Sequence, residues 1–273
     1  MSDTLHGHKA RKRFGQNFLN DDYWIEKIAS SVDPQPGERV IEIGPGQAAL
    51  SRKLIARCGH ITCVEIDRDL VHWLKKQFSS EQMTLIEADA LKVDWQEICS
   101  AGKVRVTGNL PYNISSPLLF TLSQISDKVI DQHFMLQKEV VDRMCAEPGN
   151  KAYGRLSVML QWKYRMFKLF DVPPEAFTPA PKVISSVVRM LPIDQPLEAN
   201  EHVLERVVAT GFAMRRKTLR NCFARWLQME DLEACGISPD ARAEVIPVNN
   251  WIQLANRVQA LNIEIPMPGQ KIL

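Results

Sequence analysis

The 273-residue sequence has six cysteines, at 58, 63, 99, 145, 222 and 235, but no C-x-x-C pair and no zinc-type His/Cys spacing. Neither a disulfide framework nor a structural zinc site is therefore expected, and the thiols read as reduced residues on apolar faces. No apolar run approaches membrane-spanning length, and the N-terminal charges have no apolar stretch behind them. Neither a membrane anchor nor a secretion signal is visible on that reading; the basic N-terminus leaves a mitochondrial presequence open, with Asp3 and the lack of an amphipathic apolar face counting against it, and the cytoplasm is the expected compartment. An excess of one charge is also missing: 34 basic against 32 acidic residues leave a net +2. Affinity for a polyanion must then come from local clustering. There is no internal repeat and no sustained heptad pattern, so a monomer is expected. What is present is globular composition, 45% apolar and 24% charged, on a length that suits one large domain plus a smaller one.

Apolar, β-branched runs at 39–43, 60–66, 83–87, 104–107 and 133–136 read as strands, and 50–57, 69–78 and 117–125 as helices between them. That alternation predicts an α/β fold with a mostly parallel sheet covered on both faces. An earlier helix starts near Asn20-Asp21-Asp22, carries Ile25, Ile28, Ala29 and Val32 on one face, and ends at Asp33-Pro-Gln-Pro-Gly37. Beyond residue 150 a helix at 156–162 precedes two strands, 164–172 and 183–191, placed as an antiparallel addition to the sheet edge. The proline-rich loop between them, 172–182, is stiff enough to hold a side chain in place. After Leu191-Pro-Ile-Asp-Gln-Pro196 the spacing is helical only. A first domain over 1–192 and a small all-helical C-terminal domain over 193–273 are expected.

The first strand ends in Glu42-Ile43-Gly44-Pro45-Gly46. Two glycines one apart let backbone approach a ligand closely, and with an acid 19 residues after Gly46, Glu65, the segment also fits a dinucleotide fingerprint. Glu65 ends the second strand, where an acceptor-only carboxylate matches a ribose diol. Asp89 follows the third strand, placed to accept from an adenine amino group. Asn109-Leu110-Pro111-Tyr112 follows the fourth. All lie at the carboxyl ends of successive strands, the ligand side of open α/β sheets. An aromatic amine attacks poorly because its lone pair is delocalised. The Asn109 side-chain carbonyl and the Leu110 backbone carbonyl can accept its two protons and aim it at an electrophile. Tyr112 can stack on the ring, and Phe177, in the proline loop, is the candidate for its other face.

Positive charge gathers in three places: Lys9-Ala-Arg11-Lys12-Arg13, five cations without an acid over 151–170, and six without an acid over 206–225. They are assigned to phosphate contacts. In the last segment Arg216 and Arg220, four apart, are expected to share a helix face with Arg215 and Lys217 beside them.

Together these segments resemble the ribosomal RNA adenine N6,N6-dimethyltransferases, most closely those of the bacterial small subunit. The matching stretches are 11–19 (Arg-Lys-Arg-Phe-Gly-Gln-Asn-Phe-Leu), 42–46, 109–114, 136–140, 152–157, 177–183 and 215–221. The resemblance implies a Rossmann-like class I methyltransferase sheet, S-adenosylmethionine as methyl donor, and two adjacent adenosines near the 3′ end of 16S rRNA as acceptors. It also implies cofactor contacts from Asn17, Leu19, Gly44, Glu65, Asp89 and Asn109, no metal, and a role in subunit biogenesis. Two other readings stay open on the residues. A nicotinamide oxidoreductase explains the glycine turn and Glu65 but not Asp89 or Asn109, and a non-catalytic RNA-binding assembly factor explains the charge clusters alone.

Overall fold

The computed structural model describes residues 4–5, 8–9, 16–214 and 216–269. The chain divides into two units: Met1–Val141 with Arg165–Pro192, and Asp142–Tyr164 with Ile193–Leu273. A break after residue 192 is where the sequence placed it. The segment Asp142–Tyr164, expected in the first domain, groups with the second unit instead. Its hydrogen bonds explain why. The Gly149 amide donates to the Glu244 carbonyl, the Trp162 indole to the Leu197 carbonyl, and Arg155 and Lys163 pair with Glu205 and Glu201.

The first unit contains a seven-stranded sheet. Its strands are β1 (Val40–Ile43), β2 (Ile61–Glu65), β3 (Met83–Glu87), β4 (Val104–Asn109), β5 (Val129–Gln137), β6 (Tyr164–Val172) and β7 (Ser185–Pro192), in the spatial order 3-2-1-4-5-7-6. Strands β1 to β5 pair in parallel, and β7 runs antiparallel to β5. The order reverses between β1 and β4, the crevice position at which doubly wound sheets bind ligands. All four residues of β1 are buried, as a strand covered on both faces requires.

Helices α1 (Asp22–Val32), α2 (Ala49–Cys58), α3 (Arg68–Gln77) and α4 (Ser115–Ser123) also belong to this unit. The Asp21 carboxylate caps α1 by accepting from the amides of Tyr23 and Trp24, and α1 buries Ile25, Ile28, Ala29 and Val32. Those four join the same core as Leu54, Ile61 and Val187.

Two strands run longer than the apolar runs that announced them. β4 extends through Asn109, so that residue ends the strand rather than following it. β5 begins at Val129, because Asp131, Gln132 and His133 are buried in it despite their polarity. Asp131 accepts from Arg105 at 2.7 Å and from Arg189 at 2.8 Å, and Arg105 also donates to Glu38 at 2.7 Å. Paired charges of this kind make a polar strand interior tolerable. Burial holds the His133 imidazole down to about 4, so it is neutral beside Asp131.

The second unit is helical: α5 (Arg155–Gln161), α6 (Glu201–Ala213), α7 (Leu219–Phe223) and α8 (Val248–Ala260) carry most of it. Asn200 caps α6 by accepting from the amides of His202 and Val203. α6 and α8 pack through Phe212 and the fully buried Trp251, whose ring centres lie 5.6 Å apart. The Tyr153 hydroxyl donates to the Ile246 carbonyl at 2.8 Å. Among the described residues no helix is long and apolar enough to cross a membrane. All six cysteines are free, and only Cys145 is not fully buried.

Candidate active site

A cleft opens over the carboxyl ends of β1 to β4 in the first unit. It holds about 1210 Å³ of atom-free space including its open mouth. Asn17, Leu19, Gly44 and Glu65 line it, as do Asp89, Asn109, Leu110 and Tyr112. These residues come from segments up to 95 positions apart in sequence, which the parallel sheet delivers to one edge.

The glycine turn keeps its backbone open to that space. Gly44 and Gly46 sit at φ +68° and +56°, left-handed values that disfavour a side chain, and a Cβ on Gly46 would meet the Phe18 ring at 3.1 Å. Gly108 in β4 faces the same turn, and a Cβ there would stand 2.5 Å from the Ile43 carbonyl oxygen.

Asn109 is fixed by its own amide. Its Nδ2 donates to the Asn17 carbonyl at 3.0 Å, which leaves Oδ1 as the acceptor end of the side chain. The Leu110 amide donates to the Met135 carbonyl at 3.1 Å, holding the following peptide against β5. Tyr112 shares a 2.8 Å hydroxyl hydrogen bond with Ser185, and burial raises its phenol above the usual value.

Asn17 and Leu19 reach the cleft because Phe18–Leu19 pairs antiparallel with Phe177–Thr178 of the proline loop. The Asn20 amide nitrogen also donates to the Ala176 carbonyl at 3.0 Å. Nothing local to the segment's own sequence signals this partner. The same pairing removes Phe177 from its expected place. Its ring is 4% exposed, belongs to the core with Leu19 and Ile28, and is not part of the cleft lining.

Two acids set the electrostatics. Glu65 is 4% exposed, and burial pushes its carboxyl up to about 7 although the amides of Asp67, Gly46 and Ile66 pull the other way. Its Oε1 accepts from the Asp67 amide at 2.9 Å. Glu42, in the middle of β1, is likewise pushed up to about 7 by burial, with the charge of Glu65 adding to the effect. Ser51 donates to it at 2.6 Å. Glu42 had no role in the sequence reading, although an acid within a β-branched run just before a glycine turn was a signal for one. Asp89 accepts from the Leu91 amide at 3.0 Å.

The basic segments are less uniform than expected. Arg11, Lys12, Arg13 and Arg215 lie outside the described residues, as does the side chain of Lys9, whose backbone is in a two-residue strand. Arg216 and Lys217 are exposed in a turn before α7, and Arg220 is within α7. They do not share a helix face, because Thr218 occupies the N-cap position of α7. Arg220 pairs with Asp240 at 2.9 Å. In the 151–170 segment Arg155 and Lys163 are held by Glu205 and Glu201 of α6, and Lys168 by Asp171 three residues on in β6.

Comparison with known proteins agrees with this architecture. The family model "Ribosomal RNA adenine dimethylase" matches residues 7–260. "Ribosomal RNA small subunit methyltransferase A" of Aromatoleum aromaticum is 53% identical over 255 residues, covering 93% of this chain and 96% of the relative. The protein of the same name from a Janthinobacterium species is 53% identical over 253 residues, 92% of this chain and 99% of its own length. The crystal structure of a dimethyladenosine transferase from Plasmodium falciparum superposes with a TM-score of 0.80 at 23% identity, covering 91% of this chain and 99% of that one. The fold is thus a Rossmann-like α/β sheet with a helical C-terminal part. With the match running from residue 7 to 260 and half of the positions shared with full-length relatives, the chain belongs to the ribosomal RNA adenine dimethylase family.

Proposed function

We propose that this chain transfers methyl groups from S-adenosylmethionine to N6 of two adjacent adenosines near the 3′ end of 16S rRNA, and thereby takes part in small-subunit biogenesis. The observation that carries the reading is Asn109, which ends β4 inside the cleft with its amide nitrogen engaged by Asn17 and its oxygen left to accept.

The donor set suits a nucleoside-bearing sulfonium. Glu65 accepts from the ribose hydroxyls, Asp89 from the adenine amine, and the turn at Gly44 and Gly46 brings backbone rather than side chains to the remainder. Asn17 and Leu19 cover the same space from the side of the proline loop. The bound donor supplies an electrophilic methyl on a positively charged sulfur. The protein's own work is orientation. The Asn109 Oδ1 and the Leu110 carbonyl accept the two protons of N6, draw its lone pair out of conjugation and point it along the transfer axis. Positioned attack of this kind can lower a barrier by about 7–11 kcal/mol. As charge moves from sulfur to nitrogen, the same two oxygens stabilise it, and one proton leaves N6 to solvent after the N–C bond forms. Each transfer would leave S-adenosylhomocysteine, and a second round, after its exchange for a fresh S-adenosylmethionine, would replace the remaining proton. Tyr112 holds the base by stacking.

Phe177 can reach the other face of the base only if the pairing of Phe18–Leu19 with Phe177–Thr178 opens. Arg216, Lys217 and Arg220 hold phosphates of the acceptor RNA, together with the basic N-terminal arm. The protein acts in the cytoplasm as a monomer.

Calorimetry distinguishes this reading from the nicotinamide one. S-adenosylhomocysteine binds the chain and NAD does not; the opposite pair of results overturns the proposal.

A further inference from the structure

We infer that the helical unit carries a second ligand site, a stacking pocket for an unpaired nucleobase of the bound RNA. The inference rests on the reading of this protein as RNA-binding and adds to it a place where a base, rather than a phosphate, is held.

The pocket is formed where α6 ends and α7 follows. Met214 stands at its mouth, 45% exposed. Cys222 and the half-buried Trp226 form its floor, and Pro266 and Met267 close it from the C-terminal segment. It holds about 1050 Å³ of atom-free space including the mouth, and among the described residues no acid lines it. The guanidinium of Arg225 lies 5.9 Å from the Trp226 ring centre. None of this is needed for the chemistry at Asn109, which belongs to the other unit.

An aromatic face with polarizable thioethers and a guanidinium beside it is the chemistry that unpaired bases stack on. Charge decides in favour of RNA over an apolar protein side chain. Arg225 lines the pocket and is exposed, and Arg216 and Lys217 are exposed in the turn that follows Met214 of the lining, within a 20-residue stretch, 206–225, that has six cations and no acid. An apolar side chain gains nothing from such a rim, whereas a base in the pocket brings its flanking phosphates onto it. Thr210 and Arg225 are the polar side chains of the lining, too few to read a base edge. The site is therefore tolerant of base identity.

The test uses the full chain and two short oligoribonucleotides of equal length, one bearing bases and one with an abasic centre. Trp226→Ala weakens binding of the base-bearing strand about tenfold, as loss of one stacked base does. It leaves the abasic strand and the salt dependence of binding unchanged, and Trp226→Phe restores affinity. With unmodified protein, a 4-thiouridine-substituted strand photocrosslinks to a peptide containing Trp226 or Met267, so the result does not depend on a variant folding. Equal binding of the base-bearing strand by the unmodified protein and a folded Trp226→Ala, or crosslinks confined to the cleft around Asn109, overturns the pocket. If Arg216→Ala with Lys217→Ala leaves the salt slope unchanged, the RNA reading fails and the pocket with it; a reduced slope with no Trp226 effect removes the pocket alone.

Discussion

At the scale of single residues, the proposed function places most of the chemistry on Asn109. Its Nδ2 is committed to the Asn17 carbonyl, so Asn109→Ala removes an acceptor at the reacting nitrogen and leaves the phosphate contacts untouched. Methyl transfer falls at least about 100-fold, the size of losing one preorganised polar partner of a transition state. RNA affinity in a filter-binding assay stays within about threefold. Equal loss of both removes Asn109 from the chemistry. Glu42 and Glu65 give a pH signature. Each is raised from an ordinary 4.5 to about 7 by burial, so the folded protein holds these protons more tightly than the unfolded chain. Their contribution to stability is present in full below about pH 4.5 and is lost as pH rises through about 7. Glu42→Gln keeps the hydrogen bond from Ser51 and removes one of the two proton-linked losses. Denaturant melts of the variant show roughly 1–3 kcal/mol more stability than the parent at pH 8 and little difference at pH 4.5. A constant difference across that range contradicts the placement of Glu42 in a dry interior. Glu65, Asp89 and Asn109 were legible in the sequence because each sits where a strand ends. Phe177 was misplaced because its burial depends on Phe18–Leu19, 158 residues away, a pairing with no local signal.

Elements explain why these residues hold their positions. β1 and β4 approach so closely at Gly108 that a Cβ would stand 2.5 Å from the Ile43 oxygen, directly behind the glycine turn. Gly108→Ala must push the two strands apart, at a cost of about 1–3 kcal/mol. Affinity for S-adenosylhomocysteine falls with it, and calorimetry showing parental affinity argues that the turn does not cradle the cofactor. Lower in the sheet, Asp131 ties Arg105 of β4 to Arg189 of β7 across β5. Asp131→Ala removes the carboxylate that Arg105, which keeps Glu38, shares with the partly exposed Arg189, and costs about 1.5–3 kcal/mol in denaturant unfolding; a change under about 0.5 kcal/mol shows that the clamp does not hold the register. The same cluster explains a limit of the sequence reading. Strands made of Val, Ile and Leu announce themselves, whereas the first half of β5 is polar and its partners lie on other strands. The expected helix through Arg216 and Arg220 failed for a local reason, since Thr218 caps α7 after the turn rather than continuing α6.

For the whole molecule, a near-zero net charge means that the proposed RNA affinity must come from local clusters, among them the exposed Arg216 and Lys217 of the helical unit. Arg216→Ala with Lys217→Ala lowers the slope of log K against log salt by roughly 1.4–1.8, at about 0.7–0.9 per phosphate contact. Thermal stability is unchanged because both side chains are exposed. The division into a sheet unit and a helical unit was legible from the change in periodicity near residue 192. The allegiance of Asp142–Tyr164 to the helical unit was not. It rests on side chains such as Tyr153 and Trp162 bonding to the main-chain carbonyls of Ile246 and Leu197, a use of polar groups that periodicity does not register.

The most direct measurement is mass spectrometry of ribosomal RNA nucleosides after incubating immature small subunits with the protein and isotopically labelled S-adenosylmethionine. Labelled N6,N6-dimethyladenosine at two neighbouring positions, abolished by Asn109→Ala, is the expected result. Unlabelled adenosine there after incubation with the intact protein, or full dimethylation by the Asn109→Ala variant, contradicts a cleft built to present the amine of a base to a methyl sulfonium.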